Sequence, residues 1–143
     1  MSVDPIAISR SALDVEWQRM QIVALNLANE NTTSVNGKGG YRPQTLVSGP
    51  DGGFGVALAQ GSRTSQPHGV RVVRVEQRSD AIRKVYDPNH PAADAAGFVS
   101  YPNIDHAEEM VMLMRTARAY ESNLTALSLA QQMSMHALEI GRR

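Results

Sequence analysis

There is no cysteine among the 143 residues. That removes disulfides, thiol nucleophiles and zinc–thiolate sites together, and leaves the redox compartment open. Aromatic side chains are only 5% of the chain, so base-stacking surfaces have little to be built from. Neither sign of charge dominates: Lys plus Arg is 14, Asp plus Glu is 14, and the formal charge is zero. A nucleic-acid or anionic-membrane binder would carry a basic excess, and none is present. Zero net charge also weakens repulsion between copies, which favours self-association. No run approaches the ~18–20 apolar residues that cross a bilayer. The first residues include Asp4 and Pro5 and lack a basic-then-apolar run, so no cleaved secretory signal is expected. Glycine and proline are scarce at both ends. Ten of the 11 Gly and six of the 7 Pro lie between Asn31 and Ile104.

What is present at the ends is helix pattern. Asp105 is placed to cap a helix, with Glu108 at the capping-box position, and Glu108 and Glu109 face the positive end of the helix dipole. From there to Ile140 no Gly or Pro intervenes, and Gly141 supplies a stop. Leu113, Ala117, Tyr120, Leu124 and Leu127 recur at spacings of four and three, one stripe of a helix. Met110 and Met114 widen it, and Leu138 extends it. Such a helix would be roughly 50 Å long at ~1.5 Å per residue, more than so short a chain buries against itself. At the other end, Asp4-Pro5 reads as a cap and first helical residue. Leu13, Trp17, Met20, Ala24 and Leu27 form a second stripe of the same rhythm, in a helix ending near Glu30. Five of the 7 Met fall between Met110 and Met135, and methionine adapts to neighbours of differing shape.

The middle is β-like and punctuated by turns. Gln44–Val47, an alternation at Phe54, Val56 and Leu58, the β-branched run Val70–Val75, Val85-Tyr86 and Phe98–Tyr101 read as short strands. Gly49 to Gly53 and Gln66 to Gly69 read as turns. This insert has too few large apolar residues for an independent core. The fold class expected is α+β: two long terminal helices, forming a coiled-coil-like pair, that flank a small β-rich insert. The organisation is residues 1–30 as one helix, 31–104 as loop and insert, and 105–143 as the other helix.

Chemistry-bearing patterns are few. Asp87, His90, Asp94, Asp105 and His106 include the residue types of a metal or acid–base site. Pro88 and Pro91 make the loop a rigid turn, where Asp and His commonly satisfy backbone groups. Gly37-Lys38-Gly39-Gly40 lacks the spacing and following helix of a phosphate loop, and Gly52-Gly53-Phe54-Gly55 precedes a strand pattern. Arg71, Arg74, Arg78, Arg83 and Lys84 read as a solvated strand edge. No catalytic residue, metal or cofactor is expected. Asn26 and Asn29 read either as a helix terminus or as polar residues that set register against a neighbour.

The local sequences carry a resemblance. Ser11-Ala12-Leu13, Arg19-Met20 and Ala24-Leu25-Asn26-Leu27-Ala28-Asn29 with Thr32-Thr33 are similar to the N-terminal motif of flagellar rod and hook proteins. Asn26, Leu27, Ala28, Asn29 and Thr32 are its members here. The loop from Tyr86 to Val99, with Asp87, Pro88, His90, Pro91, Asp94 and Gly97, resembles the flagellar basal-body rod protein family in its proximal-rod branch. So do Tyr101-Pro102-Asn103-Ile104-Asp105, Glu109-Met110-Val111 and Arg118 to Asn123. The similarity covers both helices and the second half of the insert. It implies a structural, non-enzymatic subunit of the rod, the axial drive shaft needed for motility. It implies export by the flagellar type III apparatus without a cleavable signal, and a place in the periplasm-spanning rod of the basal body. It implies other proximal- and distal-rod proteins and further copies as partners, with no nucleic acid or small-molecule substrate. Leu13, Trp17, Met20, Ala24, Leu27, Met110, Leu113, Met114, Ala117, Tyr120, Leu124 and Leu127 would then pack between subunits. The alternatives are another rod or hook axial protein, or a small metal-dependent hydrolase using Asp87, His90 and Asp94.

Overall fold

The computed structural model describes residues 5–34, 40–51 and 69–141. Helix α1 spans Pro5–Ala28, and strands β1 (Gln44–Pro50), β2 (Val70–Gln77), β3 (Ile82–Tyr86) and β4 (Phe98–Pro102) follow. Helix α2 spans His106–Ile140. The architecture is therefore α+β, with small antiparallel sheets between an N-terminal and a C-terminal helix. Asp4, the loop Asn36 to Gly39, the Phe54–Leu58 alternation and most of the Gln66 turn lie outside the described residues.

Local chemistry accounts for most element ends. Asp105 caps α2: its Oδ1 accepts the backbone N–H of Ala107 at 2.8 Å and of Glu108 at 3.2 Å. The reciprocal capping-box bond from Glu108 is not made among the described residues. Helix α1 stops at Ala28, two residues before the expected Glu30, because Asn29 folds back: its Nδ2 donates to Leu25 O at 2.8 Å. Strand β1 runs through Gly49-Pro50, where the sequence reads as a turn. Pairing with β2 overrides the turn chemistry, and Pro50 sits at the strand's last position, where its missing N–H is least costly.

By contact the chain divides into two compact units. One comprises Met1–Gln18, Val47–Arg74 and Thr116–Arg143; the other comprises Arg19–Leu46 and Val75–Arg115. In the first, Val15 and Thr116 are buried. Ser11 Oγ donates to Ile8 O at 2.7 Å and accepts the N–H of Val70 at 3.1 Å. Gly69, at φ +110°, lets the chain pass directly against Ser11, with no room for a Cβ. Trp17 and Tyr120 meet at 6.3 Å between ring centroids.

In the second unit β3 and β4 form an antiparallel hairpin, from Ile82 opposite Pro102 to Tyr86 opposite Phe98. Ser34 adds one bridge to Ser100. Val23, Leu46, Ala81, Ala92, Val99 and Ile104 are its buried apolar residues. Val99 and Pro43 are the largest apolar side chains to be completely enclosed, so this is a thin core. The hairpin's long connection closes on Gly97, at φ +82°, whose N–H donates to Asp94 O at 2.9 Å. A Cβ there would stand 2.9 Å from the Tyr86 ring. Gly97→Ala is therefore expected to destabilise the chain by about 1–3 kcal/mol, read as a lower urea midpoint with unchanged slope.

Candidate functional site

The best-defined polar site is a buried cluster around Asn26, which is 1% exposed. Asn26 occupies the last helical turn of α1. Its Nδ2 donates to Gln44 O at 2.9 Å and to Glu109 Oε2 at 3.3 Å. Its Oδ1 accepts the N–H of Gln44 at 3.0 Å and the hydroxyl of Tyr41 at 2.7 Å. Two donors and two lone pairs are the full capacity of a side-chain amide. None is left for register against a neighbour, nor is the residue a plain helix terminus. Asn26 instead ties α1, the start of β1 and the first turns of α2 together inside one unit.

Glu109 is the cluster's charged member. Burial pushes its carboxyl above the ordinary glutamate value; the Asn26 amide and the Arg78 guanidinium, 3.8 Å away, pull it back, and Glu108 adds to the rise. Arg78 also meets Asp80 at 3.4 Å, and its backbone N–H donates to Pro43 O at 3.0 Å. The Tyr41 hydroxyl is pushed up by burial and, less, by Glu109. The sequence offers no spacing signal for this cluster. Tyr41 lies ahead of β1, Arg78 just after β2 and Glu109 in α2, and the three converge only through folding.

The loop from Asp87 to Gly97 uses its polar side chains on itself. Asp94 Oδ1 accepts the backbone N–H groups of Phe98 and Ala96, both at 2.9 Å. The bond from Phe98 is the chief reason its carboxyl lies below the ordinary aspartate value, although burial opposes it. His90 Nδ1 accepts the N–H of Ala92 at 3.0 Å, and Asp87 Oδ1 that of Asn89 at 3.3 Å. His106 does not join them; it meets Glu30 at 2.8 Å. Among the described residues no group of three or more His, Asp or Glu is arranged to hold a metal ion. Pro88 and Pro91 are exposed on the same loop.

The helix stripes are only partly covered by their own chain. On α1 the buried residues are Val15, Val23 and Asn26. At ~100° per residue that line lies roughly a third of a turn from the stripe of Leu13, Trp17, Met20, Ala24 and Leu27. Trp17 is 54% exposed and Ala24 is exposed, while Leu13, Met20 and Leu27 are half-buried. On α2 the buried residues are Glu109 and Thr116. Met110, Met114 and Leu124 are exposed, and Leu113, Ala117, Tyr120 and Leu127 are half-buried. Every residue from Gln131 to Ile140 is exposed, including Met133, Met135, Leu138 and Ile140. Of the N-terminal motif, Leu27 and Asn29 are half-buried, Ala28 and Thr32 are exposed, and Thr32 Oγ1 donates to Asn29 O at 2.8 Å. Val15 and Val23 were not part of the expected stripe. Helical periodicity marks an apolar face but does not say which of two such faces the chain itself covers.

Residues 95–140 match the family model described as the flagellar basal body rod FlgEFG protein C-terminal. The chain is 37% identical over 142 residues to the flagellar basal-body rod protein FlgC of Bacillus subtilis, covering 94% of this chain and 95% of that protein. It is 36% identical over 137 residues to FlgC of Escherichia coli O6:H1 and, over the same length, to FlgC of Salmonella typhimurium, with 94% of each chain covered.

Two experiments read the Asn26 cluster. The raised Glu109 value means the folded state binds its proton more tightly than the unfolded state. That residue's contribution is therefore most favourable below the ordinary glutamate value and falls as pH rises through the folded one. Glu109→Gln should raise the urea midpoint near pH ~7.5, with the gain shrinking towards pH ~5. Asn26→Ala removes a partner from four buried or part-buried groups and should cost about 1–3 kcal/mol, measured as the urea midpoint.

Proposed function

The chain belongs to the FlgC family of flagellar basal-body rod proteins, and on that premise we propose how its surfaces build the rod. It is a structural subunit of the proximal rod, a part of the basal body on which motility depends. In our reading the stripes on α1 and α2 are the packing surfaces, and neighbouring subunits supply the cover that the chain lacks. Side chains from adjacent helices interdigitate as in a coiled coil, and torque passes through those contacts. Residues 31–104 supply the lateral contacts, and residues 1–30 and 105–143 the axial ones. The partners are other proximal- and distal-rod proteins and further copies of the chain. The subunit reaches the periplasm-spanning rod through the flagellar type III export apparatus. Its role is mechanical and requires no catalysis.

One observation carries this reading: the apolar residues of α2 are exposed along most of its length, and from Gln131 to Ile140 every residue is exposed. Apolar burial is worth ~25 cal/mol per Å², so a helix this exposed gains most of its stability when neighbours arrive. Thr125 Oγ1 donates to Glu121 O at 3.0 Å and Ser128 Oγ to Thr125 O at 2.9 Å. These hydroxyls turn back onto their own helix, so the surface beside Leu124 and Leu127 presents less polarity to an incoming helix.

Leu124→Asp places a charge on that surface and should abolish rod assembly and motility while the secreted chain remains detectable. Rods of normal abundance from this variant would place the packing seam elsewhere. In the purified chain, amide exchange should be fast from Gln131 to Ile140 and slow around Asn26 and Val99. Equal protection throughout would show that the helix end does not depend on neighbours.

A further inference from the structure

Beside the Asn26 cluster the second unit has an open cavity of about 240 Å³. Its apolar lining is Ile22, Val23, Leu46 and Met112. Arg19, Arg78, Glu108 and Glu109 bring charge to it. Three of the four are engaged within the chain: Arg78 with Asp80 and Glu109, and Arg19 with Leu46 O at 3.4 Å. Glu108 forms no ion pair among the described residues, and its charge falls on the already crowded Glu109. The cavity therefore suits an apolar side chain followed by a cation.

The chain carries that combination at the end of α2. Leu138 is 75% exposed and Ile140 77%, and Arg142 and Arg143 follow in the sequence. Ile140 lies roughly 46 Å along α2 from Glu109 at ~1.5 Å per residue, and both belong to one unbroken helix. A chain's own helix end cannot enter its own cavity. Resting on the rod reading above, we propose that the cavity is the seat for the end of α2 from a second copy of this chain. Leu138 and Ile140 enter over Ile22, Val23, Leu46 and Met112, and the arginines that follow pair with Glu108. A projecting end and a seat at different places on one chain make a heterologous contact, which builds open head-to-tail assemblies and not closed dimers. Apolar burial supplies the strength, and the exposed charge pair supplies orientation.

The absence of cysteine makes the test direct. A Met112→Cys chain and a Leu138→Cys chain, carrying different tags, are mixed at high concentration under mild oxidation. The mixed disulfide should exceed, by tenfold or more, that of Met112→Cys with a Ser122→Cys control placed mid-helix. Glu108→Lys in the first chain should lower the yield several-fold, as should Arg142→Glu with Arg143→Glu in the second; both changes together should restore it. A yield equal to the control, or one indifferent to charge reversal, overturns the seat. The same variants, kept reduced, are placed in a strain lacking the corresponding rod subunit. Rods of normal abundance from the Glu108→Lys chain alone, or from the Arg142→Glu and Arg143→Glu chain alone, remove the seat and leave the rod reading standing. Failure of the unaltered chain to build a rod removes the rod reading itself.

Discussion

A single buried amide holds the second unit together. Asn26 lies in the last turn of α1, at a buried position where an apolar residue would be the ordinary occupant. Its four hydrogen bonds reach Tyr41, both backbone groups of Gln44, and Glu109. Those bonds set where β1 starts and how the first turns of α2 lie against α1. In a unit whose apolar core is as thin as Val23, Leu46, Val99 and Ile104, such directional bonds carry more of the specificity than packing does. The arrangement also retains an imperfectly compensated acid. Glu109 receives one amide bond and one distant guanidinium, so burial still outweighs them and the charged form is disfavoured.

The same economy appears in the hairpin connection. Asp94, His90 and Asp87 are the residue types of a metal or acid–base site, yet each acts on a nearby backbone N–H. They shape the loop, and Gly97 closes it at a backbone angle that side chains avoid. What distinguishes the chain from a self-sufficient globule is the helix surface. The apolar side chains most exposed are on α2, and helices of this length are stabilised by what packs along them.

Much was legible in the one-dimensional pattern. Asp105 before a Gly- and Pro-free run announced the start of α2, and Gly141 its end. The β-branched run at Val70 and the Phe98–Tyr101 segment announced strands, each longer in the structure by one or two residues. Strand β1 was read too short because Gly49-Pro50 is turn chemistry locally and ladder by virtue of its partner. The apolar stripes were visible, but the side the chain covers for itself was not. Val15 and Val23 lie off the stripe of Leu13 and Trp17, and a helix with two apolar faces gives no sequence signal of which one turns inward.

The sequence by itself determined the element types, the division into helical ends around a turn-rich middle, and the family, because capping, period and turn residues act over a few positions. Tertiary structure alone decided the Asn26–Glu109 cluster, the buried line of α1 and the cavity beside them. Those depend on residues far apart in the chain meeting in one place, and a long-range meeting leaves no local mark.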